Sequence, residues 1–120
     1  MTSLPHHHEH DKAFFPMTFP SEEEAGKLSD LFKLLGDPCR LKLFWLLCHC
    51  EECVINLSAL LEVSSPALSH HLRLLKNAGV ILSRREGKEV YYRACDTPTA
   101  KALHEAIEKI ISITCPTKTR

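Results

Sequence analysis

The chain has 120 residues, the size of one ordinary domain, and 44% of them are hydrophobic, which excludes disorder over its whole length. Its formal net charge is zero, which excludes a protein that coats nucleic acid through overall charge. Because the sequence has neither an apolar run of about 18 residues nor a signal-peptide pattern, we expect a cytoplasmic protein with no membrane partner. In that reducing compartment, six cysteines favour free thiols, metal ligands or redox sensors over disulfides.

The sequence predicts a flexible arm, a folded domain and a short tail. The arm, residues 1–20, contains four histidines and three prolines and has little hydrophobic periodicity. The domain spans residues 21–115 and the tail residues 116–120. At the start of the domain, Ser21 is the first residue of a capping box, which predicts a helix over about residues 21–35.

Two further helices follow on either side of a cysteine-rich turn. Asp37 and Pro38 are typical of a helix N-terminus, and they predict a second, deeply buried helix that ends near Cys48. After the turn, a short helix is expected over about Val54–Glu62. Its inward residues are predicted to be Leu57, Leu60 and Leu61.

A fourth helix completes a helix-turn-helix pattern, because it follows the third after a turn of only a few residues. Ser64 or Ser65 is expected to cap this helix, and Gly79 to end it in a left-handed conformation. The residues predicted to face the core are Leu68, Leu72 and Leu75.

A β-hairpin and a last helix complete the domain. The strands are predicted around Val80–Leu82 and Val90–Tyr92, with a turn at Arg85–Lys88, and Asp96 or Thr97 caps the last helix. The fold class is therefore mainly α with a small β-hairpin, a winged helix-turn-helix in the order α-α-α-α-β-β-α. We also expect a homodimer held by the first and last helices, since one small subunit cannot bury the whole apolar stripe of the last helix, Leu103, Ile107, Ile110 and Ile111.

Charge is distributed unevenly along the chain. Residues 63–93 contain six basic and two acidic residues, whereas residues 1–36 contain three basic and six acidic ones. Such a local basic segment indicates a surface for an anionic partner. Over about residues 28–93 the chain also resembles the ArsR/SmtB family of metal-sensing repressors, in the motifs Leu35-Gly36-Asp37-Pro38, Arg40-Leu41, Ser69-His70-His71-Leu72, Leu75, Ala78-Gly79-Val80 and Arg84-Arg85-Glu86-Gly87-Lys88 through Tyr92.

This resemblance implies a homodimer that binds an inverted-repeat operator in double-stranded DNA and releases it on sensing a signal. The predicted fourth helix would be the recognition helix, which needs short polar groups near base edges and basic groups near phosphates. The predicted β-hairpin, called the wing, adds further cations. His71 is expected to face inward as a structural residue. The predicted DNA-binding residues are Ser65, Ser69, His70, Arg73, Arg84, Arg85 and Lys88.

The predicted sensor is the cysteine cluster Cys48, Cys50 and Cys53. Thiolates favour soft ions, so the expected effector is Zn, Cd, Pb, Cu(I) or As(III). The family's sensor motif, Glu-Leu-Cys-Val-Cys-Asp-Leu, is matched here from Glu51 onward, with its first cysteine kept as Cys53 and its second replaced by Ile55. The three thiols can converge only if this segment is a turn, and small buried cysteines that merely fill space remain the alternative.

Other residues are weaker metal candidates: His6, His7, His8 and His10 of the arm, and His104 and Cys115 of the last helix. Cys39 is expected to pack in the interior. The resulting prediction is a repressor released by a thiophilic metal or metalloid. A redox- or persulfide-responsive repressor of the same fold and a structural zinc protein stay open as alternatives. An enzyme is not expected, because no cysteine–histidine pair stands in a catalytic context.

Overall fold

The computed structural model describes residues 5–6 and 19–116, so His7, His8 and His10 and the last four residues lie outside the described part. The elements are α1 Glu22–Leu34, α2 Pro38–His49, β1 Glu52–Cys53, α3 Val54–Leu61, α4 Ser65–Asn77, β2 Ile81–Glu86, β3 Glu89–Ala94 and α5 Pro98–Thr114. The mainly α architecture with a β-hairpin is confirmed. One element, β1, was not predicted, so the order is α-α-β-α-α-β-β-α.

The helices begin where short polar side chains can bond the free backbone N–H groups of the first turn. The capping box at Ser21 is complete, and the Asp37 carboxylate accepts from the N–H of Arg40. Of the two candidates for each later helix, the caps are Ser64 for α4 and Thr97 for α5.

The sheet is antiparallel, with strand order β1-β3-β2. The hairpin turn is shorter than predicted, because Arg85 and Glu86 pair with β3 and only two residues connect the strands. Gly87 has φ +63° at the first position of this turn, which glycine adopts without strain. Gly79 has φ +77° after α4, as predicted.

The core lies between α2, α3, α4 and the base of the hairpin. The predicted inward residues of α4 are all buried, but Leu60 of α3 is 61% exposed, so its inward placement was wrong. The other two predicted inward residues of α3 are confirmed, since Leu57 is fully buried and Leu61 packs against the core. The core consists of Leu43, Phe44, Leu47, Leu57, Leu68, Leu72, Leu75, Val80, Ile81 and Ala100.

The two outer helices leave apolar side chains uncovered. Helix α1 buries no residue fully, and Phe32 on it is 72% exposed. On α5, Leu103 and Ile107 pack against the core, whereas Ile110 and Ile113 are 59% and 66% exposed. Within the described ranges, no helix is long and apolar enough to cross a membrane.

Candidate DNA-binding surface and metal-binding cleft

The exposed face of α4 contains the predicted base-reading residues. Ser65, Ser69, His70 and Arg73 are all exposed, on the side opposite the buried leucines. The Arg73 guanidinium lies 3.5 Å from the His70 ring. This helix therefore presents short polar groups near its N-terminus and a cation beside them.

The wing, which is the hairpin of β2 and β3, presents two kinds of basic side chain. Arg85 and Lys88 are exposed and form no ion pair with any described residue. Arg84 is already bound within the protein: it donates to both oxygens of Glu51 at 2.7–2.9 Å and to Glu86 at 3.2 Å. It also lies 4.8 Å from the centre of the Tyr91 ring. These hydrogen bonds raise the pKa of Arg84 and lower that of Glu51.

Polar contacts hold α4 against the hairpin and against α2. The Lys76 ammonium of α4 donates to the hydroxyl of Ser83 on β2 at 2.7 Å. His71 is half-buried, and Arg40 donates to its Nδ1 at 3.2 Å. That bond leaves the other ring nitrogen to face Asp37 at 3.8 Å. His71 thus has the structural role predicted for it.

The three predicted sensor cysteines lie in three different environments. Cys48 is half-buried within α2, and Cys50 is the exposed residue that ends this helix. Cys53 is 8% exposed, lies in β1 opposite Tyr91 and is also the N-cap of α3. Among the described residues, the three sulfur atoms do not all lie within 4.8 Å of one another. The structure does not bring the three thiols together.

Two of these cysteines instead share a cleft with residues from the end of the hairpin and from α5. The cleft has a volume of about 410 Å³. Cys115 ends α5, is exposed and does not line the cleft. The sulfur- and nitrogen-bearing side chains that line it are Cys48, His49, Cys50, Cys95 and His104.

Two of the cleft thiols, Cys48 and Cys50, keep their protons near neutral pH because the pKa of each is raised. Burial, followed by the negative charge of Glu108, raises the pKa of Cys48 to about 11. Burial and the nearby Glu52 carboxylate also raise the pKa of Cys50. A nucleophilic cysteine needs the opposite shift, so this environment does not favour cysteine catalysis.

One group at the rim of this cleft was only partly predicted from the sequence, which gave His104 as a weaker metal candidate but missed His49. His49 Nε2 lies 3.1 Å from His104 Nε2, and both lie 3.4 Å from Glu108 Oε1. The i, i+4 spacing of His104 and Glu108 is visible in the sequence. His49 is 55 residues before His104, so only the packing of α2 against α5 shows that it belongs to the group.

Comparisons with known proteins agree with this fold. A family model, "Bacterial regulatory protein, arsR family", matches residues 37–83. The "Transcriptional repressor SmtB homolog" of Synechocystis sp. is 34% identical over 90 residues, which cover 75% of this chain and 68% of that protein. The chain belongs to the arsR family. It is therefore a DNA-binding regulator of transcription and not an enzyme.

Two further relatives extend this arsR-family match. The "Cadmium resistance transcriptional regulatory protein CadC homolog" of Staphylococcus aureus is 39% identical over 87 residues, covering 72% of each chain. Among solved structures, HlyU from Vibrio cholerae superposes with a TM-score of 0.68 at 31% identity, covering 75% of this chain and 97% of that one. The winged helix-turn-helix fold is thus confirmed.

A second group of potential ligands, Asp37, Cys39 and His71, is better explained as structural. Asp37 caps α2, and Arg40 donates both to that carboxylate and to His71. Arg40 uses its backbone N–H for Asp37 and its guanidinium for His71, and a guanidinium bound to one of the three ligands opposes a second cation. Burial raises the pKa of Cys39, in keeping with the packing role predicted for it.

Proposed function

We propose that this arsR-family protein is a homodimeric repressor that binds an inverted-repeat operator and releases it when a thiophilic metal or metalloid ion binds. The observation that carries the proposal is the position of the cleft. Its thiols Cys48 and Cys50 stand three residues and one residue before Glu51, which holds Arg84 of the wing. The cadmium-resistance relative supports an effector of this class.

The uncovered apolar side chains support the dimer. Exposed hydrophobic patches at the surface of a small domain mark interaction sites. Here they lie on the two outer helices of the subunit, and dimerisation would bury them: Leu28, Phe32, Ile110 and Ile113. A dimer would present two copies of α4, which must lie about 34–36 Å apart to enter successive major grooves.

Signal transmission would start from the cysteine segment. Glu51 holds the wing through Arg84, and the next two residues form β1, which pairs with β3. Cys53 is also the N-cap of α3, the first helix of the helix-turn-helix. A metal bound by Cys48 and Cys50, with Cys53 as the predicted third ligand, would therefore displace both the wing and the helix pair.

The required coupling is modest. An effector typically changes the affinity of a second ligand by about 5–150-fold, or about 1–3 kcal/mol. Linkage requires that operator DNA weaken metal binding by the same factor. Cys115 and the arm histidines remain proposed as auxiliary metal ligands. Of these histidines, His6 is exposed.

Metal titration of the reduced dimer on operator DNA tests the proposal. Cd(II), Pb(II), Zn(II) and As(III) are added anaerobically to wild type and to Cys50→Ser and Cys53→Ser. Both variants are expected to bind operator normally and to remain bound when metal is added. Cys39→Ser is the matched control and should release DNA as wild type does.

Two results would contradict this assignment. Full metal response by the Cys50 and Cys53 variants would move the sensor to Cys95, His104 and Cys115. Release by an oxidant or a persulfide donor, but by none of the metals, would favour the redox-responsive alternative.

A further inference from the structure

The side chains at the contact of α2 with α5 bring three potential metal ligands to one point. His49 is the last residue of α2, and His104 and Glu108 are one turn apart on α5. The rings of His49 and His104 meet edge to face, with centroids 4.9 Å apart. Trp45, one turn before His49, donates its indole N–H to Glu108 Oε1 at 2.7 Å.

Hydrogen bonding alone accounts poorly for this arrangement. Two imidazole Nε2 atoms 3.1 Å apart leave room for one proton between them, and both also face the same carboxylate oxygen at 3.4 Å. A neutral histidine offers a lone pair on one of its two nitrogens. Lone pairs that converge on one point without a proton repel, whereas a cation at that point satisfies all of them.

The distances suit a zinc ion. In a tetrahedral zinc site with bonds of about 2.0–2.1 Å, neighbouring ligand atoms lie about 3.3–3.4 Å apart. The three separations observed here are 3.1, 3.4 and 3.4 Å. An ion about 2 Å from each atom therefore fits with shifts of a few tenths of an ångström.

We propose that His49, His104 and Glu108 bind one Zn(II) ion per subunit, with Trp45 as the residue that positions Glu108. Imidazole and carboxylate ligands suit zinc better than the softer ions that thiolates select. The two histidines also line the cleft. A water molecule would complete the four-coordinate site. The ion would fasten α5 to the end of α2. This site uses nitrogen and oxygen ligands, and it does not depend on the proposed thiol sensor.

Zinc affinity of the full chain tests the site, in a background with His6, His7, His8 and His10 replaced by glutamine so that the arm does not compete. Affinity is measured by competition with a chromogenic chelator. One Zn(II) per subunit is expected, and His49→Gln and His104→Gln should each weaken binding at least 100-fold. His70→Gln, on the exposed face of α4, is the matched control and should bind zinc as the background does.

Two spectroscopic signatures distinguish this site from the thiols. Trp45 is the only tryptophan in the chain and its ring lies 4.3 Å from that of His49, so Zn(II) should change its fluorescence in the background but not in His104→Gln. Co(II) should give four-coordinate d–d bands without thiolate charge-transfer absorption. Trp45→Phe should weaken zinc binding about 10–100-fold, as loss of a group that orients a ligand does.

Several outcomes would overturn the inference: no zinc bound at micromolar concentration, unchanged affinity in both histidine variants, or loss of binding in Cys48→Ser and Cys50→Ser instead. His49 is 44% exposed, so His49→Gln keeps the test valid if His104→Gln fails to fold. Cadmium-dependent operator release in the histidine variants is scored separately, so the two proposals fail independently.

Discussion

The two neighbouring arginines of the wing should differ in how they affect DNA binding. Arg84 and Arg85 are consecutive on β2, so their side chains leave opposite faces of the sheet. Glu51 and Glu86 already neutralise Arg84, whereas Arg85 forms no ion pair among the described residues. We therefore expect Arg85 to contact a phosphate and Arg84 to hold the wing in position.

The size of the effect follows from counterion release. The slope of log K against log salt is about −0.9 for each phosphate neutralised on duplex DNA. If Arg85 contacts one phosphate in each subunit of a dimer, Arg85→Ala should make the slope shallower by about 1.8. Between 50 and 200 mM salt, the ratio of wild-type to variant affinity should then shrink about 12-fold.

The matched control is the double variant Arg84→Ala with Glu51→Ala, which removes one positive and one negative charge. It should lower affinity by a similar factor at every salt concentration and leave the slope within about 0.5 of wild type. Fluorescence anisotropy on a labelled inverted-repeat duplex, selected for binding to wild type, measures both quantities. An unchanged slope for Arg85→Ala, or an equal loss of slope in the double variant, would refute this reasoning.

Three further predictions concern assembly and stability. Ile110→Asp should leave monomers at micromolar concentration in light scattering, because this exposed side chain lies on the proposed dimer face; a dimer of normal affinity would contradict that face. Leu57→Ala should lower the free energy of unfolding by about 2–5 kcal/mol, because Leu57 is fully buried. The exposed Leu60 is the control, and Leu60→Ala should change that free energy by about 0.5 kcal/mol or less. Equal losses for the two variants in urea denaturation would show that Leu60 is buried in the dimer. The N–H of Arg40 lowers the pKa of the Asp37 carboxyl below its ordinary 3.8, so the ionised cap stabilises the fold above that pH and its contribution disappears as pH falls through the lowered value. The free energy of unfolding of wild type should therefore approach that of Asp37→Asn in acid, and a difference independent of pH would argue against it.

Local features of the chain could be predicted because they depend on residues only a few positions apart. Ser21, Asp37 and Ser64 begin their helices where the sequence places them, since a cap bonds the N–H groups of the turn that follows it. The buried leucines of α4 follow from helical periodicity, and Gly79 follows from its freedom to adopt positive φ. The exposed polar face of α4 is the other side of the same pattern.

The sequence did not predict features that depend on a contact with a residue far away in the chain. Strand β1 has only two residues, too few to show an alternation of hydrophobic residues. It forms because Glu52 and Cys53 pair with the edge of β3. Leu60 is exposed because the packing of α3 selects Leu57 as the inward residue of a short, uniformly apolar helix. Arg84 could be recognised as a cation from the sequence, but its engagement by Glu51, 33 residues earlier, could not.

The sequence by itself therefore determined the family, the winged helix-turn-helix architecture and the exposed polar face of α4, because these are set by local periodicity, caps and collinear motifs. Only the tertiary structure decided which side chains share a site. It separates Cys53 from Cys48 and Cys50, adds Cys95 to the cleft, and places His49 beside His104 and Glu108. The physical reason is that α5 packs across the end of α2. Contacts between helices so far apart in the chain cannot be predicted from the spacing of residues within either helix.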